Sequence, residues 1–231
     1  MTISMSVSVI IPVFNGADFL PEAVASLLDQ NPRPREIIVV DDGSTDATAA
    51  VAQGLGAAVR YVRQDNRGPA AARNHGLRLA DGDIIGFLDV DDTWKRGSMA
   101  VPLRILGETE GLGIVKGLTQ MLQQIGKGGY RPVGRPFVFW NTGGTLYRRE
   151  VFAIVGPFDE ALRFSEDIDW FLRARENGVG IRIVDEVIQY HRRHGGNMTE
   201  GRTPGELNIL RVVKASLDRR RAAGSSFRKR G

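Results

Sequence analysis

The first 95 residues alternate short apolar runs with amphipathic segments, and this alternation limits the possible folds more than any other feature of the sequence. Apolar runs of strand length lie at 7–11, 36–40, 59–62 and 83–88. Segments with helical spacing of apolar residues lie between them, at 17–29, 45–55 and 69–79. Such alternation is typical of a parallel sheet with helices packed on both faces. We therefore expect an α/β fold with a Rossmann-like, doubly wound and mostly parallel sheet.

Polar residues follow each predicted strand. In chain order they are Asn15, Asp41 and Asp42, Asp65 and Asn66, and Asp89, Asp91 and Asp92. Because parallel strands end at the same edge of a sheet, we expect these side chains on one rim, where α/β sheets bind ligands. Clustered carboxylates favour Mg²⁺ or Mn²⁺, and such a cation would bind a diphosphate. For the last cluster alone, an acidic turn before a helix that begins near Thr93 is the alternative.

The segment after the second strand has two interpretations. A carboxylate at Asp41 or Asp42 could accept a hydrogen bond from a uracil imide or from ribose hydroxyls. Alternatively, Ser44 or Thr45 caps the next helix, and no ligand is involved. One turn inside the third helix, Arg73 could reach a base or a phosphate, or it could be an ordinary surface arginine.

Composition excludes several classes of protein. The 231 residues contain no cysteine, so no disulfide forms, and 42% hydrophobic residues are ordinary for a globular chain. The first residues lack a basic segment followed by a long apolar one, and no apolar run approaches the ~20 residues that span a bilayer. We therefore expect a cytoplasmic location. The net charge is only +4 and no nucleic-acid module is recognisable, so we expect no nucleic-acid partner.

The C-terminal segment combines helical periodicity with basic clusters. Apolar residues recur at Leu207, Leu210, Val213 and Leu217, and basic clusters follow at 219–221 and 228–230. We expect the apolar stripe to pack on the domain and residues 219–231 to form a disordered basic tail. The alternative is that the segment lies on the anionic inner face of a membrane, as a peripheral contact.

Four segments, in order and with matching spacing, resemble a family 2 glycosyltransferase of the GT-A fold. They are 8–16 (SVIIPVFNG), 39–46 (VVDDGSTD), 66–68 with 72–76 (NRG and ARNHG), and 87–92 (FLDVDD). The resemblance continues more loosely through 143–149, 156–160 and 165–169, and it fades between 97 and 139 and after 197. It implies a single domain over 1–218, with a nucleotide-binding half at about 6–95. A smaller acceptor and catalytic half would occupy about 96–200.

The resemblance also implies roles for individual residues. Its nucleotide-binding positions are Pro12, Val13, Asn15, Asp41, Asp42, Arg73, Asp89 and Val90. Among these, Asp41 would face the base with Arg73 beside it, and Asp89 would approach the ribose. The implied ligands of the Mn²⁺ or Mg²⁺ ion under the diphosphate are Asp91, Asp92 and His194.

In the second half, Glu166 and Asp167 match the acidic pair of the family, and Asp167 is the expected catalytic base. Glu166 could instead be an acid of the first helical turn. Trp140, with Gly143 and Gly144, would bind the acceptor, although a core position for Trp140 is equally consistent with the sequence. The basic segment 191–199 would carry arginines that touch the diphosphate and a lid over the nucleotide, or it is simply a flexible loop.

Together these features predict a metal-dependent, inverting transfer of a sugar from a nucleotide-diphosphate donor, most simply a UDP-sugar. The acceptor would be a hydroxyl of a glycan or a lipid-linked saccharide in cell-surface polysaccharide or glycolipid synthesis. A nucleotidyltransferase is one alternative, but the segment after the first strand lacks a glycine-rich loop with lysine or arginine. A non-catalytic relative that binds nucleotide-sugars or glycans is the other.

Overall fold

A mixed sheet organises the protein. The computed structural model describes residues 5–126, 128–198 and 201–228. Across these residues the strands are β1 Val7–Val13, β2 Glu36–Asp41, β3 Val59–Arg63, β4 Ile84–Phe87, β5 Thr93–Trp94, β6 Leu112–Ile125, β7 Gly129–Phe137, β8 Thr145–Arg148 and β9 Gly180–Arg193. The helices are α1 Leu20–Leu28, α2 Thr48–Gly54, α3 Pro69–Leu79, α4 Ala100–Glu108, α5 Glu150–Val155, α6 Glu166–Glu176 and α7 Ile209–Arg228.

The sheet has the order β3-β2-β1-β4-β8-β6-β9-β5, with β7 paired to the outer part of β6. The first four strands in this order are all parallel, which confirms the predicted doubly wound half. The next strand, β8, runs antiparallel to both β4 and β6, and β6 is parallel to β9. The predicted α/β class with a mostly parallel sheet is therefore confirmed, and the antiparallel strand joins its two halves.

Both faces of the sheet are covered, which explains why its strands are continuously apolar. All seven residues of β1 are buried. Its alternate residues enter two hydrophobic clusters, with Val9 and Ile11 in one and Ile10 in the other. The first cluster includes residues of α1 and α4, and the second includes residues of α3 and α6. Buried parallel strands are apolar on both sides for this reason.

The small residues of α3 allow it to lie close to β1. A Cβ atom added at Gly76 would lie 2.4 Å from the Cγ2 atom of Ile10, far inside a normal contact distance. Ala70, Ala71 and Ala72 are also buried. The helix has the bounds predicted from the sequence, and its close approach fixes the position of Arg73 relative to the ends of the strands.

Outside this half, the structure contradicts one alternative and one expectation drawn from the sequence. Thr93 does not begin a helix, because Thr93 and Trp94 form β5 and pair with β9. The basic tail does not begin at residue 219, because α7 continues to Arg228. Arg219 forms ion pairs with Glu176 and Asp169, at 2.6 and 3.2 Å, and these hold the helix on α6. Residues 229–231 of the predicted tail lie outside the described residues.

The apolar stripe of α7 does not pack on the domain as expected. Leu210, Val213 and Leu217 are 71%, 43% and 39% exposed, whereas Val212 and Ser216 are buried against the domain. The exposed residues therefore lie on the outer face of α7. Within the part of the chain that the structure describes, no helix is long and apolar enough to cross a bilayer.

Candidate active site

Asn15 connects the carboxyl ends of β1 and β2. Its backbone adopts the left-handed conformation, with φ of 52°, which asparagine tolerates better than most residues. Its side-chain oxygen accepts a hydrogen bond from the Thr45 amide at 2.8 Å, and its own amide donates to the Ser44 hydroxyl at 2.9 Å. The side chain is exposed on the rim, as predicted, and it holds the turn that precedes α2.

Asp41 lies below the rim, fully buried. One carboxylate oxygen accepts from the Ser44 amide at 2.7 Å, and the other accepts from the Tyr61 hydroxyl at 2.6 Å and from Arg63 at 3.1 Å. Burial alone would raise the pKa of Asp41, but the hydrogen bonds from Tyr61 and Ser44 lower it below its ordinary value. Asp41 is thus a buried, ionised carboxylate below the rim. Its predicted contact with the base stays a prediction.

Asp42 accepts hydrogen bonds from backbone amides at the beginning of α3. It is 4% exposed, and its oxygens accept from the amides of Arg67 and Gly68 at 2.9 and 2.7 Å and from Gln64 at 2.7 Å. The first amides of a helix have no partner within the helix, so a carboxylate placed there stabilises the helix start. Both oxygens of Asp42 thus already accept hydrogen bonds at the start of α3, and binding of the nucleotide by Asp42 stays a prediction.

Three apolar or cyclic positions predicted to contact the nucleotide serve mainly the fold. Pro12 and Val13 are buried residues of β1, and Val13 belongs to a hydrophobic cluster. Val90 is partly buried and packs against the same cluster, beside Gly16. Pro12 and Val13 are thus buried within β1, and their contact with the nucleotide stays a prediction.

Arg73 connects the two halves of the site. Its guanidinium binds Asp89 at 2.6 Å and Glu166 at 2.5 Å, and the side chain is 7% exposed. Burial opposes the charge, but Asp89, Glu166 and Asp167 raise the pKa of Arg73 above its ordinary value. The guanidinium of Arg73 is thus bound by two carboxylates, and its predicted place beside the base stays a prediction. Glu166 is held in this ion pair, and its catalytic role likewise stays a prediction.

Asp91 and His194 meet as the sequence predicted. One Asp91 oxygen lies 3.3 Å from His194 Nε2 and accepts from the Asn197 amide at 3.0 Å. The His194 ring stacks on Phe19, with 4.7 Å between the ring centroids. Burial and the neighbouring charges of Asp92 and Asp89 raise the pKa of Asp91 to about 6. The raised pKa means that the ionised form of Asp91 is unfavourable here, and a bound cation would stabilise that form.

By contrast, the oxygens of Asp92 accept hydrogen bonds from residues of β9. Asp92 is fully buried, and it accepts from Gln189 at 2.5 Å, from His191 at 2.9 Å and from the Arg192 amide at 3.0 Å. Burial alone would lower the pKa of His191, but the hydrogen bond and charge of Asp92 raise it to about 9. His191 and two amides thus already bind the Asp92 oxygens, and a role of Asp92 as a metal ligand stays a prediction.

Asp167 begins α6 beside this network. One oxygen accepts from the Ile168 amide at 2.7 Å, and the side chain is half-buried. Burial and the adjacent Glu166 raise the pKa of Asp167 to about 7, although Arg73 opposes this shift. A general base works best with a pKa near the working pH. By contrast, Asp169 is held by Arg173 at 2.7 Å and by Arg219 at 3.2 Å.

The acceptor-side residues form a loop, residues 140–144, which we call the glycine loop. Trp140 is 37% exposed and its ring meets Phe171 edge to face at 5.2 Å. A Cβ atom at Gly143 would lie 2.5 Å from the Gln189 side chain, and Gly144 has φ of 60°. The glycines are thus required by packing against Gln189. Binding of an acceptor by Trp140, Gly143 and Gly144 stays a prediction.

Comparison with known proteins identifies this arrangement. The model of the family described as Glycosyl transferase family 2 matches residues 8–111. An uncharacterized glycosyltransferase of Rickettsia typhi is 30% identical over 215 residues, covering 86% of this chain and 67% of the relative. The chain belongs to glycosyltransferase family 2.

Two further proteins are similar over most of this chain. A succinoglycan biosynthesis protein of Rhizobium meliloti is 32% identical over 204 residues, covering 77% of this chain and 59% of that protein. The crystal structure of S. aureus TarS residues 1–349 in complex with UDP-GlcNAc has a TM-score of 0.73 and 23% identity, over 92% of this chain and 66% of that one. This likeness shows the fold. Several curated relatives match this chain over most of its length. The chain spans roughly two thirds of the length of these relatives.

The family resemblance implies a divalent cation, and the residues present fit one. Among the described residues, no group of three or more His, Cys, Asp or Glu side chains converges as a cation site. Mg²⁺ and Mn²⁺ bound with nucleotides, however, commonly take only one or two carboxylates and complete their shell with phosphates and water. The partly exposed Asp91, with its raised pKa, matches this need, and Asp89 lies two residues away.

Sequence reasoning missed several residues that shape this family 2 site. Arg192, suggested as a contact of the diphosphate, is buried and binds the Asp91 carbonyl and Glu22 while covering the Phe19 ring. Gln189 joins Asp92 to the glycine loop. The sequence signal for these residues was the run of polar residues inside the apolar pattern of β9. Nothing in the neighbouring sequence explains this run.

The opposite roles of Asp91 and Asp92 can be tested by stability. The pKa of Asp91 lies above its ordinary 3.8, so its ionisation destabilises the fold increasingly as the pH rises from about 4 to about 6, and the full effect is present above that range. We therefore expect Asp91→Asn to raise the urea midpoint at pH 7.5 in EDTA. Asp92→Asn should lower stability by about 3 kcal/mol, because cationic His191 loses its partner. Equal losses in the two variants would contradict this division.

Proposed function

We propose that this protein is a metal-dependent, inverting glycosyltransferase that transfers a sugar from a UDP-linked donor to an acceptor hydroxyl. The observation that carries the proposal is Asp167. It is the carboxylate of the α6 acidic group that the ion pairs of Arg73, Arg173 and Arg219 leave available, and its pKa of about 7 suits a general base. The Arg73 bridge between Asp89 and Glu166 brings this base to the nucleotide rim.

The chemistry requires one base. Asp167 takes the proton from the acceptor hydroxyl as that oxygen attacks the anomeric carbon. The bond from the anomeric carbon to the phosphate oxygen breaks, and its electron pair leaves with UDP, so the configuration at the carbon inverts. No general acid is needed, since a phosphate leaves without protonation. When bound, the divalent cation held by Asp91 would neutralise the diphosphate charge.

The relatives support the choice of substrates. The TarS structure contains UDP-GlcNAc, which favours a UDP-linked donor. The relative named for succinoglycan biosynthesis favours an acceptor in a cell-surface polysaccharide or its lipid-linked precursor. His194 and Asn197 fold over Asp91, so the segment that carries them is suited to close over a bound diphosphate. A non-catalytic relative remains the alternative, and it would bind UDP without releasing it from a UDP-sugar.

Asp167 and Asp169 provide a matched pair of variants. Asp167→Asn keeps the shape of the side chain and removes the base, so UDP release from the donor should fall by ~10²–10⁴-fold while UDP affinity is retained. Asp169 binds two arginines, so Asp169→Asn should lower the melting temperature and leave turnover per folded molecule nearly unchanged.

The measurement is UDP release from a panel of UDP-sugars with Mn²⁺, alongside calorimetric titration of UDP. An inactive Asp169→Asn enzyme beside an active Asp167→Asn enzyme would show that the base is misassigned. Wild-type protein that binds UDP but releases none from any donor and acceptor pair would favour the non-catalytic alternative.

We also propose a peripheral membrane contact through α7. Leu210, Val213 and Leu217 are exposed on one face, and exposed Lys214, Arg220 and Arg221 lie around it. A helix of this pattern can lie in the interface of an anionic bilayer, where each basic residue adds about 1 kcal/mol. A lipid-linked acceptor would be reached from such a position.

Vesicle co-sedimentation tests this contact. Replacing Leu210 and Leu217 by Gln should abolish binding to vesicles that contain anionic lipid, while Arg219 still anchors the helix. The matched control replaces Arg220 and Arg221 by Gln, which should weaken binding and remove much of its dependence on salt. If the wild-type protein and the leucine variant sediment equally, α7 has no membrane role.

A further inference from the structure

Lys116 is a charged side chain in the middle of β6, and it is fully buried. Its ammonium donates three hydrogen bonds, to the Asn141 carbonyl at 3.0 Å, to the Gly143 carbonyl at 2.9 Å and to the Thr145 hydroxyl at 3.0 Å. It also lies 5.7 Å from the centroid of the Phe171 ring, on α6. No ion pair with a carboxylate involves Lys116 among the described residues.

A buried ammonium without a paired carboxylate is costly, and such lysines are retained where their hydrogen bonds are needed. Burial lowers the pKa of Lys116 to about 7, and the charge of Asp167 raises it against this effect. The groups that face the ammonium are the two loop carbonyls, the β8 hydroxyl and, on α6, Phe171 and Asp167. Of these, Asp167 is the one that bears a charge.

The glycine loop depends on this ammonium. On one side, Gly143 and Gly144 press against Gln189, and the Gly144 carbonyl accepts from the Gly117 amide at 2.9 Å. On the other side, Lys116 binds two of its carbonyls. Within the described part of the chain, the buried Asn141 Oδ1 and Thr142 Oγ1 atoms have no hydrogen-bond partner. The loop thus carries two buried polar atoms without partners next to Trp140, and the Lys116 ammonium binds the carbonyl of Asn141, one of the two residues that carry them.

We propose that Lys116 is a positioning residue, whose ammonium holds the glycine loop against the catalytic helix and so fixes the acceptor side of the site. The catalytic part of this inference rests on the proposed function, whereas the structural part does not. An ammonium satisfies all three acceptors, but a neutral amine has only two hydrogens. Loss of the proton removes the positive charge and one of the three hydrogen bonds, so Lys116 holds the two loop carbonyls less firmly and the loop loosens as the pH rises.

Tryptophan fluorescence tests the structural part without any substrate. Trp140 belongs to the loop and contacts Phe171, so its emission should change with pH around 7 in the wild-type protein. The transition should be absent in Lys116→Met and in Trp140→Phe. In Asp167→Asn it should persist but move to lower pH, because the charge that favours protonated Lys116 is gone.

A transition that persists unchanged in Lys116→Met, or that moves to higher pH in Asp167→Asn, would overturn the proposal. Circular dichroism confirms that each variant is folded. If Lys116→Met fails to fold, Thr145→Val removes one of the three acceptors and should lower the midpoint pH. An unchanged midpoint in that variant would also count against the proposal.

Turnover tests the catalytic part. With UDP-GlcNAc as the probe, UDP release by the wild-type enzyme should decline at alkaline pH, and Lys116→Met should be slow at every pH and lack this decline. Its affinity for UDP should stay within about twofold of the wild type, since Lys116 lies on the acceptor side. A merely structural role would lower the melting temperature and leave the alkaline decline in place. If the wild-type enzyme releases no UDP, the proposed function fails, while the fluorescence result still decides the role of Lys116.

Discussion

The arrangement of the site depends on one buried ion network. Arg73 projects from α3 and binds Asp89, at the end of β4, and Glu166, at the start of α6. Two carboxylates share one guanidinium in a buried position, so removal of the arginine would leave uncompensated charges at a cost of about 3–5 kcal/mol. The network joins α3 and the end of β4 to the start of α6, and it lies beside Asp167. Burial and the charge of Glu166 raise the pKa of Asp167, and Arg73 opposes this shift.

The acidic residues of the rim divide into two groups according to whether the fold satisfies them. Asp41, Asp42, Asp92 and Glu166 are buried, and amides, hydroxyls or cationic side chains occupy their oxygens. Asp91 and Asp167 are less completely satisfied, and their pKa values are raised to about 6 and 7. Ionisable groups whose charged form is not stabilised by the fold are candidates for catalysis or ligand binding. This division, more than the number of acids, is the reason that we propose Asp91 and Asp167 as functional residues.

The sequence predicted the first half of the fold well, because local patterns determine it. The apolar runs became β1 to β4, and α3 has the predicted bounds. Among the site residues, the sequence could not separate Asp91 from Asp92. Successive residues point in different directions, and the partners of Asp92 come from β9, about a hundred residues later. The role of Lys116 and the helical course of α7 beyond residue 218 also depend on contacts with residues outside their own segments.

The central claim is that Asp91 supports binding of a metal-bound nucleoside diphosphate at this rim. Calorimetric titration of UDP, in Mn²⁺ and in EDTA, tests it most directly. The wild-type protein should bind UDP at least tenfold more tightly in Mn²⁺, and Asp91→Ala should bind UDP equally in the two conditions. Equal affinity of the wild-type protein with and without the metal would contradict the account.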